Sequence, residues 1–260
     1  MKFFEKKNCD ICGKKIGLMG NRKLDDGNLC KDCTKDLSPF FSDRRRSTVQ
    51  DIKNQLAYRE ENKQEVARFN ATRTLGRGTK VILDEDAQKF IVSSSKSWKN
   101  ENPDVMNFSQ VTGCNLQIDE DQEEIKYKDK EERDVSYNPR RFKFKYNFWL
   151  TINVNHDYFD EIKFKINNST IEIEPLQTGR MQIFMPTGGA DTGRTNAEYR
   201  QCEEIAEEIR EALLEVRANV REDIAAANAP KVAQTCPLCG ATTTADAHGR
   251  CEFCGGSLMQ

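Results

Sequence analysis

Eight of the ten cysteines form four Cys-x-x-Cys pairs, and the pairs cluster two and two toward opposite ends of the 260-residue chain. Two residues between thiolates allow one tight turn to direct both sulfurs at one ion. Four thiolates make a closed tetrahedral site without an open position for water, which is the structural and not the catalytic pattern. The spacing therefore predicts two structural zinc ions with two sets of ligands: Cys9, Cys12, Cys30 and Cys33, and Cys236, Cys239, Cys251 and Cys254.

The first set indicates a treble-clef-like zinc module. Seventeen residues separate Cys12 from Cys30, and an Asp-Gly pair among them is typical of a hairpin turn. After Cys33 a short helical segment runs as far as Pro39. A ligand pair at a helix start after a hairpin favours a treble clef over a plain ribbon.

The second set indicates a minimal zinc ribbon. Eleven residues separate Cys239 from Cys251, and a glycine follows each pair. A redox dithiol would not need a matching second pair, but rubredoxin-like iron uses similar cysteine turns, so iron and zinc both stay open for this site. His248 lies three residues before Cys251. Because four thiolates already complete the site, we interpret this histidine as a loop residue.

Composition and charge describe a chain rich in polar surface. Charged residues make up 32% of it, and the formal net charge of -2 disfavours a dedicated nucleic-acid binder. No apolar run reaches the roughly 18 residues of a membrane span, and no apolar segment follows the charged start to form a secretory signal. Cys-x-x-Cys pairs that hold metal fit a reducing compartment, so we expect a cytoplasmic protein.

The remaining pattern predicts an α+β multidomain fold. Ser47 with Gln50 forms a capping-box pattern at the start of a helix. The middle of this helix, Arg59 to Glu65, is almost entirely polar, which predicts an exposed connection. We expect four parts: a zinc module at 1–46, a connecting helix at 47–71, a β-domain with a C-terminal helix at 72–229, and a zinc ribbon at 230–260.

From about residue 72 the hydrophobic period becomes alternating, which predicts antiparallel strands. Alternation on both sides of the acidic turn 84–87 indicates one hairpin. The clearest pattern predicts another, in which Ile166 lies opposite Ile171 and Phe164 opposite Ile173. This register also places lysines opposite glutamates on the other face, so both faces favour the same pairing.

A last strand, expected at Met181 to Met185, precedes a long amphipathic helix expected from Asn196 to Asn228. We expect the apolar stripe of this helix to cover an open end of the β-domain, with a coiled-coil dimer as the alternative. Cys114 has no cysteine or histidine nearby in sequence and is interpreted as a buried apolar residue. The stripe has spacings of four and three: Cys202, Ala206, Ile209, Leu213, Val216 and Val220.

Six or seven antiparallel strands followed by one amphipathic helix is the order of a pleckstrin-homology-like barrel. The segment Phe108 to Leu116 also resembles a strand of GRAM-like relatives. The front end resembles an uncharacterised bacterial family of unknown function, through Cys9 to Gly17, Cys30 to Cys33, Leu37 to Ser42 and Ile52 to Tyr58. The resemblance implies a four-cysteine zinc module followed by a helix-capped pleckstrin-homology/GRAM-like barrel, here with an added C-terminal zinc ribbon. It implies no activity.

Few residues could carry catalysis, so we expect no enzyme. His156 lies in a predicted turn without a nucleophile or metal-ligand spacing beside it. The segment Gly76 to Lys80 lacks the spacing of a phosphate loop. Whether the glycine-rich loop 187–193 binds an anion stays open.

Several small modules at near-neutral charge favour a non-enzymatic adapter or scaffold that binds other proteins. The alternative is a nucleic-acid-associated regulator, because the first zinc module carries Lys14, Lys15, Arg22 and Lys23. Attachment to a membrane surface through the β-domain is a further alternative, although the acidic turn 84–86 would repel lipid phosphates. Nucleic acid and membrane are therefore the less favoured partners.

Overall fold

The computed structural model describes residues 7–174, 189–228, 233–244 and 249–258. These residues form a mixed α and β protein with two four-stranded antiparallel sheets, two small hairpins at the cysteine sets and few helices. The chain divides into two compact units, Met1–Arg217 and Ala218–Gln260. Within the described residues, no helix is both long and apolar enough to cross a membrane.

The first cysteine set lies in a hairpin followed by a short helix, as predicted. Strands β1 (Arg22–Lys23) and β2 (Asn28–Leu29) pair antiparallel, and helix α1 (Lys31–Lys35) follows directly. The hairpin closes where the N–H of Leu24 donates to the carbonyl of Gly27 at 2.9 Å. The two strands and α1 therefore position the second cysteine pair against the first.

Helix α2 (Val49–Arg68) begins one residue later than the capping pattern predicted. Thr48 and Asp51 form the capping box, because the Ser47 hydroxyl instead donates to the carbonyl of Asp43 at 3.0 Å. A second acidic side chain supports the same helix start, since Asp26 accepts from the N–H of Val49 at 2.7 Å. The hairpin turn of the cysteine module thus holds the first turn of α2.

Two residues in the polar middle of α2 are buried, so the predicted exposed connection is wrong at these two positions, while Glu60, Glu61, Lys63 and Gln64 are exposed as predicted. Arg59 and Asn62 are both almost fully buried. Arg59 Nη1 lies 2.8 Å from the carboxylate of Asp104. Asn62 donates to the carbonyl of Pro103 at 2.8 Å and accepts from the N–H of Val105 at 2.9 Å. The contacts of Arg59 and Asn62 with residues 103–105 cross the predicted domain boundary at 71/72, and the contact of Val49 with Asp26 crosses the one at 46/47. The division into four parts stays a prediction.

The first sheet has the order β3-β4-β5-β6. Its hairpin lies at the predicted acidic turn, where the buried Asp84 carboxylate accepts from the N–H groups of Ala87 and Asn70 at 3.0 and 2.8 Å. Asp84 of this turn therefore stabilises the fold through its hydrogen bonds. The strands are β3 (Arg73–Leu75), β4 (Lys80–Asp84), β5 (Lys89–Ser93) and β6 (Met106–Asn107).

The second sheet is built on one long hairpin. Strands β7 (Val111–Lys128) and β8 (Asp134–His156) pair along nearly their whole length, with two register shifts. Alternate residues of β8 face the core and are fully or almost fully buried: Phe144, Tyr146, Phe148, Leu150 and Ile152. The alternation of apolar and polar residues predicts that these side chains face the core.

Strands β9 (Phe159–Lys165) and β10 (Ile171–Ile173) do not pair with each other, so the predicted hairpin is wrong. Both pair with the same edge of β8, Phe164 opposite Leu150 and Ile173 opposite Phe144.

The side chain of Asn167 explains the difference. It accepts from the N–H of Phe148 at 2.8 Å and donates to the carbonyl of Tyr146 at 3.2 Å. The side-chain amide of Asn167 thereby takes the place of a backbone group in the hydrogen-bond ladder with β8. The segment between β9 and β10 therefore bulges out without reversing the chain.

Helix α4 (Ala197–Asn228) follows the short helix α3 (Ala190–Gly193) and agrees with its predicted bounds within one residue. The ring of Tyr199 packs edge-on against Tyr146 and Phe148, with centroids 5.0 and 4.8 Å away. The predicted stripe is buried at Cys202, Ala206, Ile209 and Leu213. The side chains of Val216 and Val220 lie outside the described residues.

A closed barrel is not formed by the described residues, which make two separate sheets. The strand expected at 181–185 lies outside the described residues. The α+β character is confirmed, while the pleckstrin-homology-like fold stays a prediction.

Replacing Leu213 by alanine is expected to lower the free energy of unfolding by roughly 2–5 kcal/mol, because this side chain is fully buried. Leu214 on the same helix is 40% exposed, so Leu214→Ala should cost at most about 1 kcal/mol. Both changes alter helix propensity equally, and urea unfolding measures the difference. A wild-type dimer that Leu213→Ala converts into a folded monomer would contradict the docked helix and support the coiled coil.

Replacing Asp104 by asparagine should lower the free energy of unfolding by roughly 3–5 kcal/mol, because it leaves the Arg59 guanidinium buried without a counter-charge. The control is Asp43→Asn, which removes the carboxylate from an Asp–Arg pair whose side chains are 60% and 86% exposed. It should cost at most about 1 kcal/mol. Thermal and urea unfolding compare the two, and equal losses would show that the buried pair does not hold α2.

Candidate metal centres

The first centre joins a tight turn to a helix start. Cys9 and Cys12 flank the turn, Cys30 is the N-cap of α1, and Cys33 lies in its first turn. The four sulfurs lie within 4.8 Å of one another. Two sulfur–sulfur distances are 3.9 Å, between Cys9 and Cys33, and 3.7 Å, between Cys12 and Cys30. A tetrahedron with zinc–sulfur bonds of about 2.3 Å has edges of about 3.8 Å, so the donor set fits the ion.

The second centre has similar sulfur–sulfur distances within a smaller module. Cys236 and Cys254 sulfurs lie 3.6 Å apart, and those of Cys239 and Cys251 lie 3.7 Å apart. Strands β11 (Gln234–Thr235) and β12 (Thr242–Thr243) form its only hairpin within the described residues. Its buried apolar cluster contains two of the cysteines and Leu258. With so small a core, this unit depends on its metal to fold.

Three of the four cysteine pairs share one turn. The N–H of the trailing glycine donates to the carbonyl of the pair's first cysteine, from Gly13, Gly240 and Gly255 at 2.8, 2.9 and 2.8 Å. These glycines have φ of +71°, +72° and +70°, a conformation that disfavours other residues. The trailing glycines in the sequence predict these turns. The fourth pair lies at the start of α1 and has no such glycine.

In the first centre the pKa values of two cysteine thiols shift in opposite directions. Burial opposes ionisation of Cys9, but backbone N–H donors, first that of Cys12, outweigh it and lower its pKa to about 6. Burial and the neighbouring thiols, first that of Cys12, raise the pKa of Cys33. A divalent ion removes this conflict because it stabilises all four thiolates together.

In the second centre, too, the pKa values of two cysteine thiols shift in opposite directions. Backbone N–H donors, first that of Cys239, lower the pKa of Cys236 to about 6. At Cys254 a backbone N–H from Gly256 favours the thiolate, but contacts with the neighbouring thiols outweigh it and raise the pKa to about 12. In both centres, therefore, one cysteine has a lowered pKa and another has a raised pKa.

The remaining candidate residues belong to neither cysteine set. Cys114 and Cys202 are buried, and burial raises the pKa of each thiol to about 11, as expected of apolar core residues. The ring of His156 stacks on Phe159 at 4.1 Å, and burial lowers its pKa. His248 lies outside the described residues.

The part of the glycine-rich loop that is described contacts a carboxylate of the protein itself. The N–H of Gly189 donates to Glu120 on β7. Residues 187 and 188 of the predicted loop lie outside the described residues.

Protein purified without chelator should contain two zinc ions per chain by elemental analysis, one for each cysteine set. Cys12→Ser and Cys239→Ser should each remove one equivalent, because three thiolates leave the closed site incomplete. Cys114→Ser is the control and should retain both. One metal or none in the wild type would contradict the assignment, and iron in the second centre would show a visible thiolate absorption.

Comparison with known families agrees with the first centre. Residues 7–55 match the family described as Domain of unknown function (DUF4428). This span contains the whole first cysteine set and ends within α2, so it is consistent with the resemblance of the front end to an uncharacterised family. No curated protein and no solved structure matches the chain.

Proposed function

We propose that this protein is a non-enzymatic zinc-binding adapter that binds other proteins through its metal modules. The observation that carries the proposal is a pair of exposed apolar side chains on the second centre. Leu238 and Phe253 each stand just before the second cysteine of a pair, and they are 74% and 72% exposed. Apolar side chains on a rigid frame suit a protein interface, where aromatic residues are enriched.

The metal turns hold these side chains outward. A Cβ built on Gly256 would lie 2.3 Å from the Leu238 side chain, so Leu238 rests against the second cysteine turn. Because the cysteines on either side bind the ion, the intervening residues cannot fold inward. A partner that covers them loses little conformational entropy from the zinc module, since the turns are already ordered.

The first module presents a comparable pair. Leu18 and Met19 are 88% and 84% exposed between the first cysteine pair and β1. Two modules with exposed apolar side chains support a chain that contacts more than one protein surface. Closed four-thiolate sites and a histidine stacked among aromatic rings support the expectation of no catalysis.

The same proposal includes the finer features of the fold. A four-stranded antiparallel sheet, a second sheet and then an amphipathic helix support a pleckstrin-homology-like arrangement between the modules. Metal-binding cysteines support a cytoplasmic setting, and the resemblance of the front end to a bacterial family supports a bacterial one. We retain zinc rather than iron for both centres.

Leu238→Ser with Phe253→Ser should strongly weaken partner binding while both zinc ions are retained. The tagged full-length protein is used for capture from its native cells after nuclease treatment, and each captured protein is then purified for affinity measurement. Loss of two anchoring residues should weaken the measured Kd at least about 30-fold, the effect of one interface hot spot.

Gln234→Ala is the matched control on the same module, because Gln234 is exposed and polar. Binding that survives the double substitution would assign the interaction to another surface. Complete loss of captured proteins on nuclease treatment would replace the adapter with a nucleic-acid-associated role.

A further inference from the structure

A concave pocket of about 590 Å³ lies beside the first metal centre, lined by β1 and by the 3-10 turn Arg44–Arg46. The two segments are joined where the N–H of Asp25 donates to the carbonyl of Ser47 at 3.0 Å. Among the described residues no cysteine lines the pocket, so its charges do not face the thiolates. Four cations line it against the single carboxylate of Asp25: Arg22, Lys23, Arg44 and Arg45.

These four cations are not engaged in ion pairs within the described part of the chain, whereas the adjacent Arg46 pairs with Asp43 at 2.8 Å. Nη1 of Arg44 is buried and has no hydrogen-bond partner among the described residues. A buried, unpaired donor on a charged group is unfavourable, and an anion would satisfy it.

The charges also act on one another. Burial, followed by the positive charges of Arg22 and Arg45, lowers the pKa of Arg44. The guanidinium nevertheless stays protonated at neutral pH. The fold therefore holds several cations that repel one another around this pocket.

We propose that this pocket binds a compact, doubly charged oxyanion of the phosphate-monoester class. Guanidinium groups match phosphate oxygens with parallel hydrogen bonds, which makes arginine the preferred residue at such sites. Arg44 supplies a guanidinium whose Nη1 has no partner among the described residues, and Arg22 and Arg45 supply positive charge near it. The anion is either a free small-molecule phosphate or the phosphate of a modified side chain.

A long polyanion fits the surroundings less well. The four cations line one concavity, while nucleic-acid binders neutralise many phosphates in a row. Asp25 and Asp26 are exposed on the hairpin turn next to the pocket and would repel a continuing phosphate backbone. A single phosphate in the pocket meets only the Asp25 carboxylate, which the four cations outnumber.

The inference does not rest on the proposed adapter role. It uses β1 and the arginine turn, whereas the adapter test changes Leu238 and Phe253 in the other compact unit. Either proposal can fail while the other stands.

The test is isothermal titration calorimetry on full-length, zinc-loaded protein at low ionic strength in a phosphate-free buffer. The probes are inorganic phosphate, a short phosphoserine peptide, the same peptide without phosphate, and single-stranded oligonucleotides of two lengths. Inorganic phosphate and the phosphopeptide should bind saturably, and the unmodified peptide should not. Tighter binding of the phosphopeptide identifies a modified side chain as the source, and tighter binding of inorganic phosphate identifies a small molecule.

Arg44→Gln should weaken phosphate binding about tenfold or more, since it removes the buried charged donor. Arg46→Gln is the matched control, because Arg46 neighbours the site but pairs with Asp43, and it should change the affinity less than about twofold. Arg45→Gln changes an exposed side chain, so it tests the pocket even if Arg44→Gln impairs folding.

Three results would overturn the proposal. One is the absence of saturable phosphate and phosphopeptide binding by the wild type. Another is equal weakening by the Arg44 and Arg46 substitutions. The third is oligonucleotide binding that exceeds phosphopeptide binding and grows with length, which would assign the surface to nucleic acid.

Discussion

The buried carboxylate of Asp104 ties together the first compact unit. Its oxygens accept from Ser38 at 2.7 Å, from Tyr58 at 3.2 Å and from Arg59 at 2.8 Å. Ser38 follows the cysteine module, the other two donors lie on α2, and Asp104 precedes the last strand of the first sheet. A buried carboxylate is tolerated only when it is paired and hydrogen-bonded, so these three segments must meet in one arrangement.

The position of α2 then determines how the first metal centre is supported. Ile52, on the buried face of this helix, shares a core with Leu24 and Leu29 of the hairpin and with three of the cysteines. Near Asp104, Tyr58 packs beside Tyr158 and His156, with centroids 5.2 and 5.1 Å away. The first module therefore shares its core and its polar contacts with α2. The second centre, with a cluster of only two cysteines and Leu258 within its described residues, relies far more on its metal.

Features that depend on neighbours in sequence were predictable. Cysteine spacing and trailing glycines predicted both ligand sets, and the stripe of α4 predicted its buried face through Leu213. Features that depend on a distant partner were not. Arg59 looks like a solvent-exposed residue until Asp104, 45 positions away, provides its counter-charge. The alternation around Asn167 likewise suits a hairpin or a bulged strand equally well, and only the contact with β8 decides between them.

The net charge of the chain does not predict the cationic pocket beside the first metal centre, because it does not show which charges are already paired. On the long hairpin, Glu123 of β7 and Glu172 of β10 lie beside Lys143 and Lys145 of β8, so these carboxylates and lysines neutralise one another. The cations of the arginine pocket have no such partners within the described residues. A chain of formal charge -2 can therefore present a strongly cationic pocket, because its excess carboxylates lie elsewhere on the surface. Overall charge disfavours an extended polyanion site, whereas a site for one small anion depends on the charges that remain unpaired around it.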